Sequence, residues 1–189
     1  MSRAQALPTV AIVADIGNDL AYEAPVDAII KWIETALDRL ATYGARVVLN
    51  EPPLASLQRV GAVRFRVVRE LLFPNCRPSR AELVGRAEQL SERLRELSRE
   101  RETPIFTGES AAYGLDPIHP RRAAAGDVWQ RMLGALSPSP GVAPLIRPDA
   151  INAIRLYQLK PQAWSVYGWS RCAEQPCGRL ADGTTIAIY

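Results

Sequence analysis

Residues 9–14, Thr-Val-Ala-Ile-Val-Ala, form an unbroken apolar and β-branched run, the pattern of a strand covered on both faces. Gly17-Asn18-Asp19 reads as the turn that ends it. Pro25 stands where a helix would begin. Val26, Ile29, Ile30, Ile33, Leu37 and Leu40 then share one helical face as far as a stop at Gly44. A second buried strand is predicted over 45–49. Asn50-Glu51-Pro52-Pro53 closes it, because paired prolines cannot continue a ladder.

Residues 56–72 have helical spacing, with Leu57, Val60, Val63, Val67 and Leu71 turned inward and an end before Pro74. Ser79 with Glu82 makes a capping box. From there Leu83, Ala87, Leu90, Leu94 and Leu97 alternate spacings of four and three, with Glu82–Arg86 and Glu92–Arg95 as pairs on the polar face. That stripe spans barely two heptads, so it predicts packing onto a sheet rather than a coiled coil. Pro104 to Thr107 is a third strand, and a helix over 121–136 turns Val128, Met132 and Leu136 inward. Strands alternating with helices specify a parallel α/β sheet with right-handed crossovers.

The texture changes at Ser137. Ser137-Pro138-Ser139-Pro140-Gly141 reads as a linker, and the runs at 153–159, 163–169 and 184–189 as short strands. The expected division is an α/β domain over 1–136 and a linker with a small β-rich extension over 137–189. Trp164 and Trp169 in that tail form either a small core or a sugar-stacking face.

Composition narrows the classes. The chain has 189 residues, 48% hydrophobic and 23% charged, a globular balance that excludes overall disorder. No apolar run approaches the roughly 20 residues of a membrane helix. The N-terminus lacks the basic, apolar and small-residue pattern of a signal peptide, so the sequence as it stands reads as cytoplasmic. Net charge is +3, and all but two of the 23 basic residues are arginines, Lys31 and Lys160 being the exceptions. The arginines are spread along the chain and interleaved with Glu, which marks no nucleic-acid stripe. Three cysteines, Cys76, Cys172 and Cys177, make no disulfide framework, although Cys172 and Cys177 could close a small loop in an exported protein. No metal site or cofactor loop is recognisable; in particular, no phosphate-cradling glycine-rich loop follows a strand. The one histidine is His119, so any imidazole chemistry belongs to it.

In an open parallel sheet, sites form beyond the C-terminal ends of the strands. Two loops there carry residues of catalytic type. In the first, Asn18 follows the first strand and offers an amide N–H₂ to a developing oxyanion, with Gly17 beside it. In the second, Asp116 precedes His119 by three residues, a spacing that brings the carboxylate to Nδ1–H and leaves Nε2 as a general base. Each motif also has a structural use, as a turn or a helix cap. Their occurrence in order at one end of one sheet favours chemistry.

These residues carry a resemblance. Ala14-Asp15-Ile16-Gly17-Asn18-Asp19-Leu20 resembles the third block of the SGNH, or GDSL-type, serine hydrolases. Leu115-Asp116-Pro117-Ile118-His119-Pro120, with the helix ending Val128-Trp129-Gln130-Arg131-Met132-Leu133, resembles their fifth block, and Val47 to Pro53 is similar to the one between. The likeness spans about residues 9–136. It implies a flavodoxin-like, three-layer parallel sheet, N-terminally incomplete, with a small C-terminal β appendage. It also implies hydrolysis of an acyl ester of a lipid, sugar or small molecule without a cofactor. In those terms His119 is the base, Asp116 its orienting carboxylate, Asn18 and Gly17 the oxyanion donors, and Asp19 structural.

The chain departs from that pattern in two ways. Ile16 stands where the family usually has glycine, and the Gly-Asp-Ser nucleophile block has no counterpart ahead of the first strand. Ser110, in Gly108-Glu109-Ser110 after the third strand, is the weak substitute; Ser170 would need a permuted order. The expectation is therefore a C-terminal portion of such a hydrolase, weak or inactive as an isolated chain. The alternatives are a non-catalytic binding or scaffold domain derived from this fold, or an unrelated flavodoxin-like binding domain. Loss of neighbouring strands would also expose the edge of the strand at 9–14, to be covered by the C-terminal β runs or by a partner chain.

Overall fold

The computed structural model describes residues 9–74, 76–136, 150–180 and 183–189. Strands β1 (Val10–Val13), β2 (Arg46–Asn50) and β3 (Ile105–Phe106) lie parallel in the order β1-β2-β3. Between the first two stand the single turn α1 (Asn18–Ala21) and α2 (Val26–Thr42). Between the second and third come α3 (Leu54–Gln58), α4 (Ala62–Leu72) and α5 (Arg80–Glu100). A 3-10 turn at Ser110–Ala112 and α6 (Arg122–Gly134) follow. This is the expected α/β order.

The pleat explains the layers. Val48 and Leu49 are neighbours on β2, point to opposite faces, and are both 0% exposed. On one side Leu49 joins Ile29, Ile33 and Leu37 of α2 and Leu90, Leu94 and Leu97 of α5. On the other, Val48 and Phe106 meet Val128 and Met132 of α6 and Leu136 just beyond it. Full burial of each such side chain is worth about 1.5–3 kcal/mol.

Local signals set the element ends. Gly44, at φ +62, turns the chain out of α2; its N–H donates to Ala41 C=O (2.9 Å), and that of Ala45 to Leu40 C=O (3.2 Å), a complete Schellman closure. Ser79 caps α5 as its spacing predicts: its hydroxyl accepts from Glu82 N–H, and the Glu82 carboxylate accepts from Ser79 N–H at 2.7 Å.

Several expectations are corrected. The helix predicted over 56–72 is two helices, because Val60 is buried and Gly61 is extended (ψ 160) at the start of α4. That break rotates the second helix. Phe65 and Val68 now face inward, while Val63, Val67 and Leu71 stand in water. On α5, Arg86 donates to the carbonyls of Leu20 and Ala24, and Arg95 to Glu51, rather than chiefly to glutamates of their own helix. The Gly17-Asn18-Asp19 turn continues into α1. β1 is not covered on both faces: Val10 is 48% exposed and the other three residues are half-buried.

Chain contacts divide the molecule into two units, Met1–Ile146 and Arg147–Tyr189. In the second, the run at 153–159 falls within and just after a helix, α7 (Ala150–Tyr157), not a strand. Its apolar residues have both alternate and helical spacing, the ambiguity that short apolar runs carry. The run at 163–169 is a hairpin, β4 (Ala163–Val166) with β5 (Trp169–Cys172), turning at Tyr167 and Gly168, both at positive φ. β6 (Gly178–Arg179) pairs with β7 (Thr185–Ile186). β4 pairs with β5 and β6 with β7, and among the described residues β1 pairs only with β2. The Ser137–Gly141 linker lies outside the described residues. Among the described residues no helix is long and apolar enough to cross a membrane.

Candidate functional site

The loops beyond β1, β2 and β3 supply the candidate residues. After β1, Asp15 takes a positive φ of 60, and its carbonyl accepts from Asn18 N–H at 3.1 Å, placing Asn18 at the start of α1. Gly17 lies against Pro52 of the β2 loop; a Cβ there would come to 3.4 Å from the proline ring. Ile16 is a core residue. Asn18 Oδ1, and Asn50 Oδ1 at the end of β2, are both buried without a hydrogen-bond partner. Unsatisfied buried amide oxygens are uncommon, and here two of them sit at adjacent strand ends.

The loop from Tyr113 to Pro120 is closed at its base by a bridge between those two residues and by Arg121 N–H donating to Ala112 C=O (2.8 Å). The buried Tyr113 ring fills the space where a side chain at Gly108 would be, a Cβ there falling 2.9 Å from its Cζ. Within this loop Asp116 uses both carboxylate oxygens. Oδ1 accepts the backbone N–H of Ile118 (2.8 Å) and of His119 (3.2 Å), and Oδ2 stands 2.7 Å from His119 Nδ1. Burial alone would raise the Asp116 carboxyl; those hydrogen bonds and the imidazole charge outweigh it and hold the carboxyl below its ordinary range. The capping alternative is thereby narrowed: Asp116 caps its own turn, whereas α6 begins at Arg122 with no side-chain cap.

With Nδ1 held by the carboxylate, the free ring nitrogen is Nε2, on a side chain 47% exposed. An imidazole so held has the tautomer and orientation of a general base. The loops of Gly17 and His119 also meet: Gly17, Pro52, Pro117 and Ile118 line one cavity of about 70 Å³, together with Val68 and Leu83. Ser110 is placed differently. Its Oγ accepts from the Arg59 guanidinium at 2.7 Å, and among the described residues no hydrogen bond joins a serine to His119. Ser170 lies on β5 in the second unit. No group of three or more His, Cys, Asp or Glu side chains converges among the described residues. Cys76, Cys172 and Cys177 are free thiols.

No protein family, curated protein or solved structure matches this chain.

One buried acid at the rim of the sheet has almost no signal in the sequence. Glu51, 1% exposed, sits at the end of β2 and binds Arg95 of α5 through two hydrogen bonds of 3.1 Å, with Thr107 Oγ1 donating to the same carboxylate. Its only sequence signal is an acid directly after a buried strand, at the rim where sites form.

Proposed function

We propose that this chain carries the acid–base half of an SGNH-type ester-hydrolysing site on a flavodoxin-like sheet. The observation that supports it most is the 2.7 Å contact between Asp116 Oδ2 and His119 Nδ1 beyond the C-terminal ends of parallel strands. In this scheme Nε2 of His119 takes the proton of an attacking hydroxyl as its oxygen bonds to the acyl carbon. The same proton then goes to the leaving alkoxide when the ester C–O bond breaks. Asp116 stabilises the imidazolium formed between those steps. The Asn18 amide and the Gly17 N–H are the candidate donors to the oxyanion. No serine is bonded to His119 among the described residues, so water is the nucleophile this half-site can activate alone, and turnover is slow.

The same observation favours a second reading, a binding or scaffold domain that keeps the fold without catalysis. Slow hydrolysis of an activated acetyl ester, above buffer and lost in His119→Ala, supports the first reading; a rate independent of His119 favours the second. A fluorophosphonate should label no serine. Labelling of Ser110 would assign the nucleophile there.

A further inference from the structure

Positive charge is concentrated in one segment. Between Arg59 and Arg80 stand six arginines, Arg59, Arg64, Arg66, Arg69, Arg77 and Arg80, and one acid, Glu70. Of the chain's 23 basic and 20 acidic side chains, that leaves 17 and 19 elsewhere, so this segment accounts for the whole net positive charge. Among the described residues only Arg69 of the six pairs with a carboxylate, that of Glu70 at 2.8 Å. Arg64 and Arg80 donate to backbone carbonyls and Arg59 to a hydroxyl, which leaves their charges uncompensated.

Helix α4, in the middle of this segment, is apolar on two sides. Phe65 and Val68 face the cavity beside the candidate site. On the other side Val63, Val67 and Leu71, spaced by four, are 80%, 54% and 78% exposed, and Leu115, 76% exposed, extends the stripe from the loop that carries Asp116. Leu115 shares one hollow with Val63 and Val67, and Arg66 frames the next with Leu71. A contiguous apolar stripe flanked by Arg64 and Arg66, neither of them paired with a carboxylate among the described residues, marks an interaction surface even with Glu70 beside Leu71.

We propose that this face docks on an anionic lipid surface. Valine and leucine enter the boundary between headgroups and acyl chains, and the arginines, with long apolar stems, reach the lipid phosphates. Charge selects this occupant. A second copy on a two-fold axis would set the arginine cluster against itself, and a nucleic acid would engage the arginines but leave the stripe in water. Arg64 Nε donates to Leu115 C=O at 2.8 Å, tying the stripe to the loop of Asp116 and His119, so docking sets that loop at the lipid surface.

The test is co-sedimentation with phosphatidylglycerol and with phosphatidylcholine vesicles. Binding to phosphatidylglycerol should be about tenfold tighter or more and weaken with salt. Val67→Asp with Leu71→Asp, and separately Arg66→Glu with Arg77→Glu, should each weaken it about tenfold or more without changing the thermal melt. His119→Ala should bind as wild type, because the surface does not depend on the hydrolytic assignment. Three results would overturn the proposal: no binding to anionic vesicles, binding insensitive to the Val67/Leu71 pair, or a stripe-dependent dimer or RNA complex in place of vesicle binding.

Discussion

Arg95 on α5 meets Glu51 at the end of β2 through two hydrogen bonds of 3.1 Å, and the carboxylate at their centre is almost completely buried. The pair fixes the helix to the rim of the sheet, while Thr107 bonds the same carboxylate from the β3 side and Glu51 N–H donates to Phe106 C=O. Removing one partner leaves a buried charge without compensation. Arg95→Met should cost about 3 kcal/mol in urea unfolding, near the lower end for a broken buried pair because the arginine is itself half exposed. Adding Glu51→Leu to Arg95→Met should restore part of that loss. A double variant less stable than Arg95→Met would contradict this account of the pair.

Asp116 sets a pH dependence. Its carboxyl lies below its ordinary range in the folded chain, so the stability it contributes is fully present above that range and is lost as pH falls through the depressed value. Asp116→Asn should therefore melt below wild type at neutral pH, and the two should converge at strongly acid pH. Thermal melts across that range measure the gap. A gap that widens on acidification would have the wrong sign.

The outer edge of β1, unpaired among the described residues, makes a residue-level prediction. Arg46 N–H donates to Thr9 C=O, so Thr9, Ala11 and Val13 direct their backbone groups toward β2, and Val10 and Ile12 direct theirs away. In the monomer, amides of Ala11 and Val13 should exchange slowly and those of Val10 and Ile12 quickly. Slow exchange at all four would mean that another strand covers this edge.

What the sequence reveals here is what is local or strictly periodic. The Ser79–Glu82 cap, the buried stripes of α2, α5 and α6, and the Gly44 stop each depend on residues within a few turns, and each forms as spacing predicts. The Asp116–His119 pair is legible for the same reason, since its partners are three residues apart. The facing of α4 is not, because an extended Gly61 breaks the helix and rotates its stripe into solvent. Glu51 escapes too: its partner lies on a distant helix, and a single acid makes no pattern. That Gly17 and Ile118 share a cavity depends on how two separate loops pack, which no spacing along the chain records.

Whether His119, oriented by Asp116, works as a base is decided by hydrolysis of p-nitrophenyl acetate by wild type, His119→Ala and Asp116→Asn, all shown to be folded by circular dichroism. Slow turnover by wild type, reduced to buffer background in His119→Ala and by about tenfold or more in Asp116→Asn, is the expected result. Equal rates in wild type and His119→Ala would contradict it.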